Sequence, residues 1–159
     1  MSITILCLAS EYKGEAFFRA AKEEGLNILL ITGADLKNEP WPMDVLEEIF
    51  YVEQFGDRQE WNMREVKAGL AHLLRSRNIE RIVALDDFDV EKAAELREHF
   101  RIGGMGQTTQ RHFRDKLAMR MKAEEAGIPI PAFSALFNDQ DIVKYTEEVA
   151  APWVVKPRA

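Results

Sequence analysis

Residues 1–103 predict an open parallel α/β sheet with helices on both faces, and three observations carry that reading. Four apolar runs rich in β-branched residues are spaced along this stretch, segments with helical periodicity separate them, and glycine or proline marks most of the junctions. A continuous apolar run is the mark of a strand covered on both faces, as in parallel sheets. Helical segments between such strands supply those covers.

The first run, Ile3 to Ala9, is followed by a turn over Ser10-Glu11-Tyr12-Lys13-Gly14 and a helix over Glu15–Glu24. Phe17, Phe18, Ala20 and Ala21 give this helix an apolar surface, and Gly25 stops it. Leu26 to Thr32 is the second strand, closed by Gly33. Strand, helix and strand at this spacing form a βαβ unit. The G-x-G-x-x-G fingerprint of dinucleotide sites is absent, because only Gly14 follows the first strand. That disfavours a nicotinamide-dependent oxidoreductase.

Asp35 to Pro42 reads as a polar turn, and Met43–Ile49 as a short helix with Pro42 at its start. Phe50–Phe55 is a third, weaker strand, broken by Gly56-Asp57. Asn62–Arg77 is the clearest amphipathic helix of this half, with Met63, Val66, Leu70, Leu73 and Leu74 on one face. His72 lies on it and receives no role. Arg81 to Asp87 is the fourth strand, and a helix over Val90–Phe100 follows, preceded by Asp87 or Asp89 as cap. Two readings of Asp86 and Asp87 stand side by side. They serve the positive end of that helix, which is preferred, or they face a ligand at the carboxyl edge of the sheet.

Composition narrows the class. The chain has 159 residues, 47% hydrophobic and 30% charged, with net charge −6. That length suits one domain plus part of another. The acidic balance argues against a non-specific nucleic-acid binder. One cysteine, Cys7, gives neither a disulfide framework nor a metal cluster, and its apolar run makes it a small buried hydrophobe. No run reaches the roughly 20 apolar residues of a membrane span, and a cytoplasmic location is the expectation.

Residues 104–159 form a second region. Arg101 to Gly106 is a glycine-rich connector without the phosphate-loop pattern G-x-x-x-x-G-K-[ST], so it reads as a chain-turning linker. A long helix is expected from Thr108 or Thr109 to Ala126, with Phe113, Leu117 and Met121 as its apolar stripe and Gly127 as its stop. Lys116 lies at the flank of the stripe, and Arg111 pairs with Asp115 along the helix. After the stiffened Gly127-Ile128-Pro129-Ile130-Pro131 turn come a short strand over Ala132–Leu136, a helix from Asp139 or Asp141 toward Val149, and an apolar strand over Pro152–Arg158. A lysine in such a strand, Lys156, needs a solvent edge or an anionic partner, of which phosphate is the obvious one.

The Asp115-Lys116 pair, the Ala126-Gly127-Ile128-Pro129 helix end and the Pro152-Trp153-Val154-Val155-Lys156-Pro157 run together resemble the start of the ATP-grasp fold. The chain is similar to biotin carboxylases, carbamoyl-phosphate synthetases and other ATP-dependent carboxylate–amine ligases. The resemblance implies a Rossmann-like pre-ATP-grasp domain over residues 1–103. It implies the amino-terminal part of an α+β ATP-grasp domain over residues 104–159. Lys116 and Lys156 match the family's two phosphate-contacting lysines. The family's glycine-rich lid and its metal-binding carboxylates would lie beyond Arg158, so the chain reads as an inactive amino-terminal piece of a ligase.

By the same resemblance, the intact relative uses ATP and Mg2+ to phosphorylate a carboxylate, and an amine or other nucleophile then attacks the acyl phosphate. Its partners are nucleotide and a small-molecule carboxylate, with neither nucleic acid nor membrane, and a homo-oligomer is left open. Ser10, Glu11, Asp86 and Asp87 are the weaker candidates for substrate contact. The alternative is a non-catalytic Rossmann-like ligand-binding or signalling domain. A phosphoacceptor module of that kind would want a second acid beside Glu11 after the first strand.

Overall fold

The computed structural model describes residues 2–56 and 60–158. It divides into two compact units, Met1–Gln107 and Thr108–Ala159.

In the first unit, β1 (Thr4–Ala9), β2 (Asn27–Gly33), β3 (Glu48–Val52) and β6 (Arg81–Ala84) form one parallel sheet in the order β3-β2-β1-β6. Ile5 pairs with Ile28 and Arg81, and Ile31 with Phe50. Side chains alternate between two apolar layers, because successive residues of a strand point to opposite faces. Ile5, Cys7, Ile28 and Leu30 meet Phe18 and Ala21 of α1 (Glu15–Glu23), together with Trp41 and Leu46. Leu6, Leu8, Leu29 and Ile31 meet Val66 and Leu70 of α2 (Met63–Leu73), and Ala93 and Leu96 of α3 (Asp87–Phe100). The expected fold class therefore holds, with covers on both faces. Phe18 is fully buried, so truncating it to alanine costs about 3–5 kcal/mol. Cys7 is buried as expected, and burial pushes its thiol up to about 12.

Local differences from the sequence reading have identifiable causes. Met43–Ile49 is not a helix: Met43 to Val45 make only a turn, and β3 already begins at Glu48. Val45 and Leu46 both close back onto the Pro42 carbonyl, after which Glu47 N–H donates to Ile28 O and the chain joins the sheet. The third run is split, because β4 (Gln54–Phe55) leaves the sheet and pairs antiparallel with β5 (Glu60–Trp61). Asp57, named above as part of the break, lies outside the described residues. The fourth strand ends at Ala84, since Asp86 takes extended backbone as the cap of α3.

Gly14 precedes α1 with φ 96°, and a Cβ there would lie 2.7 Å from Leu85. Both facts favour glycine. Arg97 of α3 holds the linker: its guanidinium donates to the Ile82 carbonyl and, at 3.0 Å, to that of Met105. Burial lowers its pKa.

The second unit contains α4 (Gln107–Arg114, which begins at the last residue of the first unit), α5 (Lys116–Glu125) and α6 (Asp139–Glu148). The single long helix expected here is two helices. Asp115 adopts φ −80° and ψ 109°, and its carboxylate accepts from the N–H groups of Leu117 (3.0 Å) and Ala118 (3.2 Å). An aspartate that caps the following turn takes the extended backbone of an N-cap, which ends the helix before it. The strands expected at Ala132–Leu136 and within Pro152–Arg158 are irregular segments without ladder partners among the described residues, and Leu136 already belongs to a turn. Without a neighbour, an apolar run has no sheet to join.

Candidate functional site

The carboxyl edge of the parallel sheet is where connections diverge. From β1 the chain crosses one face through α1 to reach β2, whereas β6 lies on β1's other side. In open α/β sheets the crevice at such a divergence is the usual place for a ligand. The loops after β1 and β6 bring Ser10, Lys13, Asp86 and Asp89 together there.

Asp89 was expected as one alternative cap, but it lies inside α3, fully buried. Its carboxylate accepts from the Ser10 hydroxyl at 2.5 Å and from the Ser10 N–H at 2.9 Å. Lys92, one turn further along α3, donates to Ser10 Oγ at 2.6 Å and to Asp89 Oδ1 at 3.2 Å. The lysine ammonium also lies 4.5 Å from the centre of the Trp61 ring, a cation–π arrangement. Trp61 Nε1 donates to Gln54 Oε1 at 2.7 Å, and Gln54 Nε2 donates to Asp35 Oδ1 at 2.9 Å. The ends of all four sheet strands are thereby tied into one polar network, in which each buried charge is met by another.

Gly33 lies under this network: a Cβ there would overlap the Gln54 amide and the Asp35 carboxylate. Its backbone is ordinary extended chain, with φ −66° and ψ 145°, so close approach rather than φ selects glycine.

Of the four sequence-named edge residues, Ser10 is fully buried and committed to this network. Asp86 caps α3 through the Phe88 N–H at 3.0 Å and pairs with Lys13, which also meets Glu11 at 2.9 Å. The capping reading of Asp86 is the one observed. Glu11 is half-exposed and Asp87 exposed, in the first turn of α3. Sequence reasoning missed Lys92, Gln54 and Trp61. A signal existed for Lys92, a charged residue beside Ala93, Ala94 and Leu96 and three positions after Asp89.

The second unit holds the two lysines. Lys116 is the first residue of α5, not a mid-helix flank, and Lys156 lies in the exposed tail. The tail is joined to α5 at one point. Lys116 N–H donates to the Arg158 carbonyl at 2.8 Å, and the Arg158 guanidinium bonds both oxygens of Asp115. Since Lys156 is two residues from Arg158, its Cα lies no more than about 12 Å from the Lys116 nitrogen. The expected Arg111–Asp115 pair is present but long, at 3.9 Å. Arg158 is the principal partner, and it holds the Asp115 carboxyl down at about 2. Among the described residues no group of three or more His, Cys, Asp or Glu forms a metal centre. No helix among them is long and apolar enough to cross a membrane.

Comparison with known proteins fits this architecture. No protein-family profile matches the chain. The chain is 27% identical over 143 residues to an L-arginine-specific L-amino acid ligase of Bacillus subtilis, a match covering 89% of this chain and 33% of that one. Its fold is similar to the L-amino acid ligase of Bacillus licheniformis, with TM-score 0.68, 17% identity and coverage of 84% of this chain and 32% of that one. It is also similar to the biotin carboxylase domain of Hydrogenobacter thermophilus 2-oxoglutarate carboxylase, crystallised with MgADP, ADP and bicarbonate. That likeness has TM-score 0.69, 18% identity and coverage of 96% of this chain and 34% of that one. The chain thus spans about a third of the length of each.

Proposed function

Taking as premise that the fold is the amino-terminal architecture of the ATP-grasp superfamily, we propose that the chain serves an ATP-dependent carboxylate–amine ligase acting on amino acids. It contributes the sheet domain and the first part of the nucleotide-binding half. The observation that carries this reading is the match to an amino acid ligase along 89% of the chain. The convergence of the two lysine-bearing segments on Asp115 and Arg158 supports it.

When bound, ATP supplies the phosphoryl group that converts a carboxylate to an acyl phosphate, and an amine then displaces phosphate from the acyl carbon. Lys116 and Lys156 act as point charges on the phosphates. Neither is asked to move a proton. The sheet edge presents Glu11, Lys13 and Asp87 to the substrate, while the buried Ser10-Asp89-Lys92 network holds their loops in place. The described residues do not gather a carboxylate set for Mg2+.

We also propose that the 159 residues alone do not complete ligation. They span about a third of the ligases they resemble, and the resemblance assigns the metal-binding carboxylates to a later region. The test is phosphate release from MgATP by the protein as its gene encodes it, with a panel of paired L-amino acids and mass analysis for peptide product. Where the encoded protein extends past these 159 residues, amino-acid-stimulated release that yields a dipeptide and is lost in Lys116→Met is the expected outcome; the 159 residues alone yield no dipeptide. MgATP turnover indifferent to every amino acid would remove the substrate class.

A further inference from the structure

The tail beyond α6 is anchored at two points within its own unit. Trp153 Nε1 donates to the Val149 carbonyl at 2.9 Å. At the other end, Arg158 closes on the start of α5 through its carbonyl and through both oxygens of Asp115. Its guanidinium also lies 5.6 Å from the centre of the Phe137 ring. Between the anchors Val154 and Val155 are largely exposed, and no ladder holds them. The placement of Lys156 relative to Lys116 therefore depends on Arg158. Pro157 stiffens that dependence: its ring fixes its own φ and confines Lys156 before it to extended backbone. A guanidinium engaging both oxygens of one carboxylate fixes direction as well as distance, which a lysine at this position would not do.

We propose that Asp115 and Arg158 are positioning residues for the nucleotide site, a clamp that holds Lys156 against the start of α5 so that both lysines address the same phosphates. This rests on the ATP reading above. The guanidinium is spent on Asp115 rather than on phosphate. The Arg158 side chain is about half exposed while that of Asp115 is largely covered, so loss of the pair registers mainly in ligand affinity and lysine placement, with a smaller fall in melting temperature.

The test uses the protein as its gene encodes it, with Arg158→Met, Arg158→Lys, Asp115→Asn and the Asp115→Asn/Arg158→Met double variant. Asparagine keeps the helix cap while removing the charge. The first readout needs no nucleotide: the yield of a Lys116–Lys156 link with a short amine-reactive crosslinker, located by mass spectrometry. It falls several-fold in Arg158→Met and Asp115→Asn and recovers partly in Arg158→Lys. The second readout is MgATP affinity by calorimetry. Each single variant loses about tenfold, and the double variant loses no more than either, as one coupled pair requires. Melting temperature without nucleotide falls by no more than about a few degrees in any variant. An unchanged crosslink in Arg158→Met overturns the clamp. Affinity that falls in Arg158→Met but not in Asp115→Asn makes Arg158 a direct phosphate ligand and also overturns it. A crosslink that depends on Arg158, in a protein where MgATP shields neither lysine from acylation, refutes the nucleotide reading and with it the clamp's role there.

Discussion

The sheet edge of the first unit and the lysine-bearing segments of the second handle charge in opposite ways. At the edge, Asp89 and Lys92 are buried and neutralise each other around Ser10. In the second unit, α5 and α6 bury no residue, and Lys156 stands in solvent on an irregular tail. A buried charge must be answered within the fold or it destabilises the fold. An exposed one costs nothing to keep and remains available to an incoming anion. Stability falls to the first set and, on the proposed reading, ligand recognition to the second, and each assignment can be broken by substitution.

The largest effect belongs to the buried network. Lys92→Met leaves the Asp89 carboxylate without its counter-charge, at a cost of about 3–5 kcal/mol. Ser10→Ala removes a hydroxyl bonded to both partners and costs less, about 1–3 kcal/mol. Denaturant unfolding of the protein and its variants checks both values. If Lys92→Met unfolds like the parent, the edge is not the structural device that the comparison makes it.

The lysine substitutions sharpen the other side. Lys116→Met and Lys156→Met keep the apolar stem and delete only the charge. On the proposed reading each removes a charge-assisted contact worth about 1.5–3 kcal/mol, so MgATP affinity is expected to drop by about ten- to a hundredfold. Melting without nucleotide should hardly move. A variant that binds MgATP like the parent identifies a solvated surface lysine. One that melts many degrees lower identifies a structural lysine.

The two units were not equally legible in the sequence. The four parallel strands and the helices α1, α2 and α3 follow from apolar runs and periodicity, because burial on both faces writes itself into every residue of a central strand. The edge network was mostly hidden. Its members come from positions 10, 35, 54, 61, 89 and 92, and a hydrogen bond between distant side chains leaves no periodic trace. Only the charged Lys92 among apolar neighbours hinted at it. In the second unit the periodicity of Phe113, Leu117 and Met121 suggested one continuous helix, and local hydrogen bonds accepted by the Asp115 carboxylate overrode it. The apolar character of Trp153-Val154-Val155 suggested a strand, but strand formation depends on a neighbour that a local reading does not supply.

The smallest effect is a pH dependence at the start of α5, and its sign separates the units once more. Asp115 has a depressed pKa, chiefly through the Arg158 guanidinium and secondarily through the N–H groups of Ala118 and Leu117, with partial burial opposing. An unfolded aspartate titrates near about 3.9, while in the folded chain Asp115 titrates at about 2. Its contribution is therefore complete above the unfolded value and is lost as pH falls from about 4 toward 2. Protonation weakens the cap on Leu117 and Ala118 and the tie to Arg158 together. Asp115→Asn mimics that state at neutral pH while keeping a capping oxygen, so helix content should persist while the tail loosens. Asp115→Ala removes the cap as well, at about 1 kcal/mol. Amide hydrogen exchange between pH 5 and pH 2, corrected for intrinsic rates, follows the two effects site by site. Protection at Lys116, whose N–H bonds Arg158, should fall before protection in α1 or β1 does. Loss of protection at β1 first would mean that the sheet of the first unit, not the start of α5, is the acid-sensitive part of the molecule.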